Sequence, residues 1–235
     1  MTRVALGALA VLLLAAPGAG AGGSSRVWLG TSAQGRAIEA VELGDPHAAR
    51  KVLVVGCIHG NECAGVAIVR RLEQTTPPKG VDLWLVESLN PDGRAAGTRV
   101  NARGVDLNRN FPVGWQRLGG VFDSGARPLS EPESRIACRL ILRLRPTVSI
   151  WFHQHLTLVD GSGGDAALER RFARLVRLPF VELPRYPGSV TTWENATLPG
   201  TSAFVVELPP GSLTPARAGR FAGAVLAVAG APAAG

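Results

Sequence analysis

The chain is poor in lysine, tyrosine and cysteine. Lys51 and Lys79 are its only lysines, Tyr186 its only tyrosine, and Cys57, Cys63 and Cys138 its only cysteines. Basic residues still outnumber acidic ones, 25 to 18, for a formal charge of +7, but nearly all are arginines scattered along the sequence. That scatter excludes the clustered basic stripe of a nucleic-acid binder, so no nucleic-acid partner is expected. A basic exported protein would be drawn to anionic surfaces such as cell wall or lipid, although genome composition accounts for the arginine richness equally well. The cysteine spacing does not match a structural zinc knot; in an exported chain it allows one bridge and one free thiol. There is no internal repeat, which excludes a solenoid.

The first 23 residues read MTRVALGALAVLLLAAPGAGAGG. Arg3 supplies a positive start, residues 4–16 an apolar core too short to span a bilayer, and Ala19-Gly20-Ala21 a small-residue cleavage site. Residues 1–21 are expected to be a secretory signal peptide. Residues 22–235 are expected to form a single domain, monomeric, secreted or periplasmic and associated with the cell wall, with no transmembrane helix once the signal is removed.

Residues 26–44 read as two short strands around a turn at Ser32–Gly35. KVLVVGC (residues 51–57) is a nearly all-apolar strand of the kind buried on both faces of a mixed or parallel sheet. A helix is expected over 62–74, with Ala64, Ala67, Ile68 and Leu72 on one face. VDLWLVESLN is the next strand and stops at the turn sequence NPDG. Residues 94–127 are rich in Gly, Arg and Asn without periodicity, and a long ordered loop in a compact domain is usually functional. Ser130 with Glu133 reads as a capping box opening a helix. TVSIWFHQH and AFVVELP are two more buried strands, separated by an arginine-rich helix over 165–177. Thr214-Pro215 opens a last, apolar helix too short to cross a bilayer. Alternating strands and helices predict an α/β fold, a three-layer sandwich with helices on both faces of a central sheet.

Four apolar strands deliver polar groups at or just beyond their carboxyl ends: His59 and Glu62, Asn90 and Asp92, His153 and His155, and Glu207. Open α/β sheets bind ligands at that edge. A catalytic zinc takes about three ligands from His and carboxylates and keeps one position open. His59 and Glu62, three apart on a strand-to-helix turn, can point one way. His153 is well placed as the third ligand; His155 shares its strand face and is the rival. Glu207 would then be a carboxylate not needed for ligation, suited to act as a general base. The HxxE pair alone is a weak signal, since an acidic residue at a helix start is common.

HGNE, NPDG, RVNARGVDLNRNFP, the His-bearing strand and the Glu-bearing strand, in this order, resemble the zinc carboxypeptidase family of the carboxypeptidase A type. The resemblance runs from GTSAQGRAIEAVELG to VVELPPG. It implies a mixed central sheet and one Zn2+ per chain, held by His59, Glu62 and His153. It implies that Arg99 polarises the scissile carbonyl and holds the oxyanion, with Arg103 a rival in the same loop. Asn108 and Arg109 would grip the substrate carboxylate, Asp106 would orient the first zinc histidine, and Glu207 would be general base and acid. Tyr186 would be the substrate-binding tyrosine of a loop before the last strand. The chemistry suits these residue types: a guanidinium fork matches a planar carboxylate, and a carboxylate behind a zinc histidine fixes its tautomer.

The chain is short for that family, and HQH replaces the more usual His-Ser-Tyr. The short form, HGNECAG, NARGVDLNRNFP and ELP look more like bacterial murein peptide amidases, which cleave between γ-D-glutamate and meso-diaminopimelate in wall peptides. Hydrolysis of an amide next to a free carboxylate is therefore expected, with murein peptides the leading substrate. The alternatives are a general metallocarboxypeptidase, an N-acyl amino acid deacylase or a non-catalytic wall-binding module. The selecting pocket is expected among loop residues 161–199, with Val190 a candidate lining residue. Cys57 is expected to be a small buried residue, and Cys63 to be packed or bridged to Cys138.

Overall fold

The computed structural model describes residues 23–231; the expected signal peptide, residues 1–21, lies outside the described residues. The chain forms β1 (Ser24–Thr31), β2 (Ala37–Gly44), β3 (Arg50–Val55), α1 (Gly65–Leu72), β4 (Val81–Val86), α2 (Pro91–Ala96) and α3 (Pro132–Leu144). It continues through β5 (Val148–Gln154), β6 (Leu158–Asp160), α4 (Ala166–Val176), β7 (Phe180–Val181), α5 (Val190–Thr197), β8 (Ser202–Leu208) and α6 (Pro215–Ala229). One eight-stranded sheet runs in the order β1-β2-β4-β3-β5-β8-β6-β7. The centre, β4-β3-β5-β8, is parallel; β1, β2 and β6 join antiparallel, so the sheet is mixed.

The apolar strands are buried on both faces because alternate residues feed two separate cores. Val52, Val54, Ile150, Phe152, Phe204 and Val206 pack against α1, α4 and α6. Leu53, Val55, Trp151 and Val205 pack against α3, α5 and the loop residues Leu107 and Phe111. The expected three layers are thus present. No helix among the described residues is long and apolar enough to cross a membrane.

Several local expectations shift. The helix expected from residue 62 starts at Gly65, and Ala67 is exposed. Ile68 and Leu72 are buried as expected and Ala64 packs against the same core, while Gly65, Val66 and Val69 complete the buried face in place of Ala67. NPDG is not only a turn: Asn90 caps α2 by accepting the Gly93 N–H at 2.8 Å, with Pro91 in the first turn. The expected Ser130 cap is not made. Glu131 is the N-cap residue of α3, Ser130 bonds Glu131 and Asn110, and Glu133 instead accepts the Ala33 N–H at 2.8 Å. Tertiary partners outcompete the local capping box there. Thr214 does cap α6, accepting from the Arg217 N–H.

Candidate metal centre

The site lies where the parallel strands end. β5 and β8 are paired in register, with His153 opposite Glu207. Both residues continue the odd-numbered face whose preceding members, Trp151 and Val205, lie in the second core. Beyond β3 the chain turns tightly, the Glu62 N–H donating to the His59 carbonyl at 2.9 Å, which brings both side chains back over the sheet edge. The turn is pressed against α2 at Gly60, where a Cβ would collide with the Gly93–Arg94 backbone.

His59 Nδ1 stands 3.0 Å from Glu62 Oε2 and 3.2 Å from His153 Nδ1, and His153 Nδ1 stands 3.3 Å from the same Glu62 oxygen. His59 Nε2 is 2.9 Å from Asp106 Oδ1, which makes Nε2 the protonated nitrogen and leaves the Nδ1 lone pair facing the cluster. Two ring nitrogens and a carboxylate oxygen, each able to offer a lone pair to a metal, converge on one point. Around a tetrahedral zinc with bonds of about 2.0–2.1 Å, neighbouring ligand atoms stand roughly 3.3–3.4 Å apart. The His59–Glu62–His153 donor set therefore fits a zinc ion in both chemistry and spacing, and these three form the candidate metal site among the described residues. His155, the rival, is exposed on the cleft wall and lies outside this cluster.

The surrounding charges hold the cluster ionised. Burial alone would raise the Glu62 pKa, but hydrogen bonds and charge from His153 and His59 outweigh it and hold the carboxyl far below its usual range. Asp106 is likewise depressed: burial opposes ionisation, and His59, Arg99 and Arg109 more than compensate. Burial works against a charged His59, yet Asp106 and Glu62 raise its pKa overall. Arg99 ties the two acids together, Nη1 to Glu62 Oε1 at 2.7 Å and Nε to Asp106 Oδ2 at 2.9 Å.

The loop carrying GVDLNRNFP is rigid for identifiable reasons. Asp106 accepts the Asn108 N–H at 2.9 Å and opens a 3-10 turn over Leu107–Arg109. Asn110 donates to the Ser124 and Arg127 carbonyls, and Asn101 to Glu131 and Glu133. Asn108 Oδ1 accepts the Val190 N–H at 2.9 Å, docking this loop on α5. Arg109 lies under the half-exposed Tyr186 ring, 4.5 Å from its centroid. Gly188, at φ +68°, lets the tyrosine loop rest on the Arg109 carbonyl, where any Cβ would clash. Glu207 is partly buried, and among the described residues its carboxylate makes one hydrogen bond, accepting the Leu156 N–H at 3.3 Å.

These groups line one cavity of about 460 Å³, which includes His59, Glu62, Arg99, Asn108, Arg109, His153, Tyr186 and Glu207. Asp106 sits behind it. Two strand-end residues are not part of it: Asn90 caps α2, and Asp92 is bonded to Ser32, Gln34 and Arg36. Val190 does not line the cavity either; it is fully buried in the second core. The cysteine expectation is corrected too. Cys57 and Cys63 are bridged to each other, with Cα atoms 4.7 Å apart, and Cys138 is the free thiol. Cys138 packs on the α3 side of the sheet, whereas Ala64, next to Cys63, packs on the other side.

Sequence reading missed Phe122, whose ring faces both Arg99 and Arg109 at 5.4 and 5.7 Å. It missed Asp160, and it named Arg185 only as part of a broad loop. Gln154, the middle residue of HQH, accepts the Ala64 N–H and donates to the Pro209 and Gly211 carbonyls, stitching α1 to the segment after β8. No local signal marks any of these.

The fold and donor set define an α/β protein with a candidate one-metal centre at its strand ends. The chain belongs to the zinc carboxypeptidase family, whose sequence profile matches residues 24–159. It is 32% identical to murein peptide amidase A of Escherichia coli (strain K12) over 157 residues, which are 60% of this chain and 64% of that protein. It is 33% identical to murein peptide amidase A of Vibrio campbellii over 175 residues, 67% of this chain and 69% of that protein. Its structure matches murein-tripeptide amidase MpaA from Escherichia coli O157 with a TM-score of 0.70 and 27% identity, covering 87% of this chain and 91% of that one. Carboxypeptidase A from Helicoverpa armigera matches with a TM-score of 0.73 at 17% identity, covering 88% of this chain and 67% of that one, a likeness of fold.

Proposed function

We propose that this chain is a zinc-dependent peptidase that hydrolyses an amide bond next to a free carboxylate, with murein peptides as substrate. The observation that carries the reading is the meeting, in one cavity, of the His59–Glu62–His153 donor set, the carboxylate of Glu207, which has no ion pair among the described residues, and the guanidinium of Arg109. The relatives named murein peptide amidase support the choice of substrate.

A zinc ion held by His59, Glu62 and His153 supplies Lewis-acid activation of water and of the scissile carbonyl. Arg109 and Asn108 bind the substrate carboxylate; Arg109 is the cation of the cleft that no acid pairs directly among the described residues. Glu207, one strand from His153, takes a proton from the attacking water at its carboxylate and passes it to the leaving nitrogen. Arg99 has Nη2 free of hydrogen bonds among the described residues and can offer it to the developing oxyanion while Nε and Nη1 hold Asp106 and Glu62. Asp106 keeps His59 in the tautomer whose Nδ1 faces the metal. The chain acts as a monomer, exported by the signal at residues 1–21 to the cell wall, where its substrate and its positive charge both belong.

The test is incubation of purified, zinc-loaded protein with L-Ala-γ-D-Glu-meso-diaminopimelate and with a blocked α-linked dipeptide. Release of diaminopimelate from the first is expected. Release only from the second would establish the general carboxypeptidase instead, and release from neither, with metal bound, would sink both.

A further inference from the structure

The cavity that holds the metal donors and the Arg109 grip is also walled by Asp160, Leu183, Pro184 and Arg185. Asp160 ends β6 and is largely buried, yet it faces the cleft. Its Oδ1 accepts the Leu183 N–H at 2.9 Å, and its Oδ2 lies 3.3 Å from Ser162 Oγ. Arg185 Nη2 donates to the Gly161 carbonyl, and its Nη1 stands 3.7 Å from Asp160 Oδ2. That separation is an ion pair but too long for a hydrogen bond, so a carboxylate and a guanidinium stand side by side with bonding capacity left on each. Arg185 directly precedes Tyr186, whose ring covers Arg109. One short segment thus joins the Arg109 grip to this pair of opposite charges.

A wall with one charge of each sign is complementary to a zwitterion. An ammonium is drawn to Asp160, and a carboxylate is held by the Arg185 fork. A side chain ending in a carboxylate alone meets the Asp160 charge, and one ending in an ammonium alone leaves Arg185 without a partner, so the pair also rejects. Diaminopimelate carries an amino-acid group at both ends. With one end at the scissile bond and its carboxylate on Arg109, the other end is the zwitterion this wall fits.

We propose that Asp160 and Arg185 form a specificity subsite for an ammonium-plus-carboxylate terminus on the side chain of the leaving residue, as diaminopimelate presents. This rests on the murein-peptide reading and names the residues that read the far end of its leaving group.

The experiment compares kcat and KM of zinc-loaded wild type, Arg185→Ala, Arg185→Lys and Asp160→Asn on L-Ala-γ-D-Glu-meso-diaminopimelate and on the same tripeptide ending in L-lysine. Wild type is expected to prefer diaminopimelate. Arg185→Ala should lower that preference about tenfold or more, through KM, because one charge-assisted contact is lost with only one of the substrates. Arg185→Lys should restore part of it. Asp160→Asn, which keeps the acceptor for Leu183, should weaken both substrates. An unchanged preference in Arg185→Ala, or an equal loss on both peptides, overturns the subsite. Wild type that cleaves neither tripeptide overturns the underlying murein reading, a result separate from a failed preference.

Discussion

Two pairs of buried carboxylic acids in this molecule are treated in opposite ways. At the strand ends, Glu62 and Asp106 are held ionised by His59, His153 and Arg99 despite their burial. Glu194 on α5 is fully buried, and burial pushes it up to about 7 against the opposing hydrogen bond from Ser149. Glu169 on α4 is likewise pushed up to about 7, chiefly by burial. The site acids are surrounded by cations; the interior acids have a hydroxyl or a backbone N–H. Charge survives burial only where opposite charge is placed beside it. The site is therefore built as a charged network before any ligand arrives, whereas Glu194 is a hydrogen-bonding group that ties α5 to Ser149 of β5.

The sharpest break of this comparison is at Glu207, the cleft carboxylate with no ion pair among the described residues. Glu207→Gln should lower turnover by about 10²- to 10⁴-fold while zinc content, read by elemental analysis, stays near one per chain. An active variant would remove Glu207 from the chemistry. The interior pair gives the next effect. Glu194 ionises near 4.5 when unfolded and near 7 when folded. Between those values the folded state holds more protons, so stability falls as pH rises from about 4.5 to about 7 and levels off above. Urea unfolding of wild type and Glu194→Gln at both ends of that window should show the variant gaining on wild type by something of the order of 3 kcal/mol. A constant difference would mean Glu194 is ionised throughout. Asp106→Asn tests the charged side. Loss of the anion behind His59 should weaken zinc binding about 10- to 100-fold in chelator competition, with the fold kept. The smallest effect is on the thiols: titration of unreduced protein should find one free thiol per chain, Cys138. Three would mean that the Cys57–Cys63 bridge does not form.

Much of the site was legible because its residues sit at chain positions with strong local signals. Apolar runs announce the strands, and His59, His153 and Glu207 follow or end them. The string from Arg99 to Pro112 carries its own turn chemistry, with Asp106 and Asn110 bonding the backbone they fold. Capping was read well at Thr214, where nothing competes, and poorly at Ser130 and Glu133, which long-range partners claim. Asn90 and Asp92 carried the same strand-end signature as the residues lining the cleft and turned out to hold α2 and the β1–β2 turn.

By itself the sequence determined the α/β layering, the order of the strands along the chain, and the residue types able to hold a metal at their ends. These follow from hydrophobic period and from turn-forming side chains, which act over a few residues. Tertiary structure alone decided that His153 and not His155 meets His59 and Glu62, that Cys57 pairs with Cys63, and that Asp160 and Arg185 share a wall with Arg109. Those outcomes depend on which strands lie side by side and on how the loops fold back over them. That contact between residues distant in sequence leaves no period or motif to read.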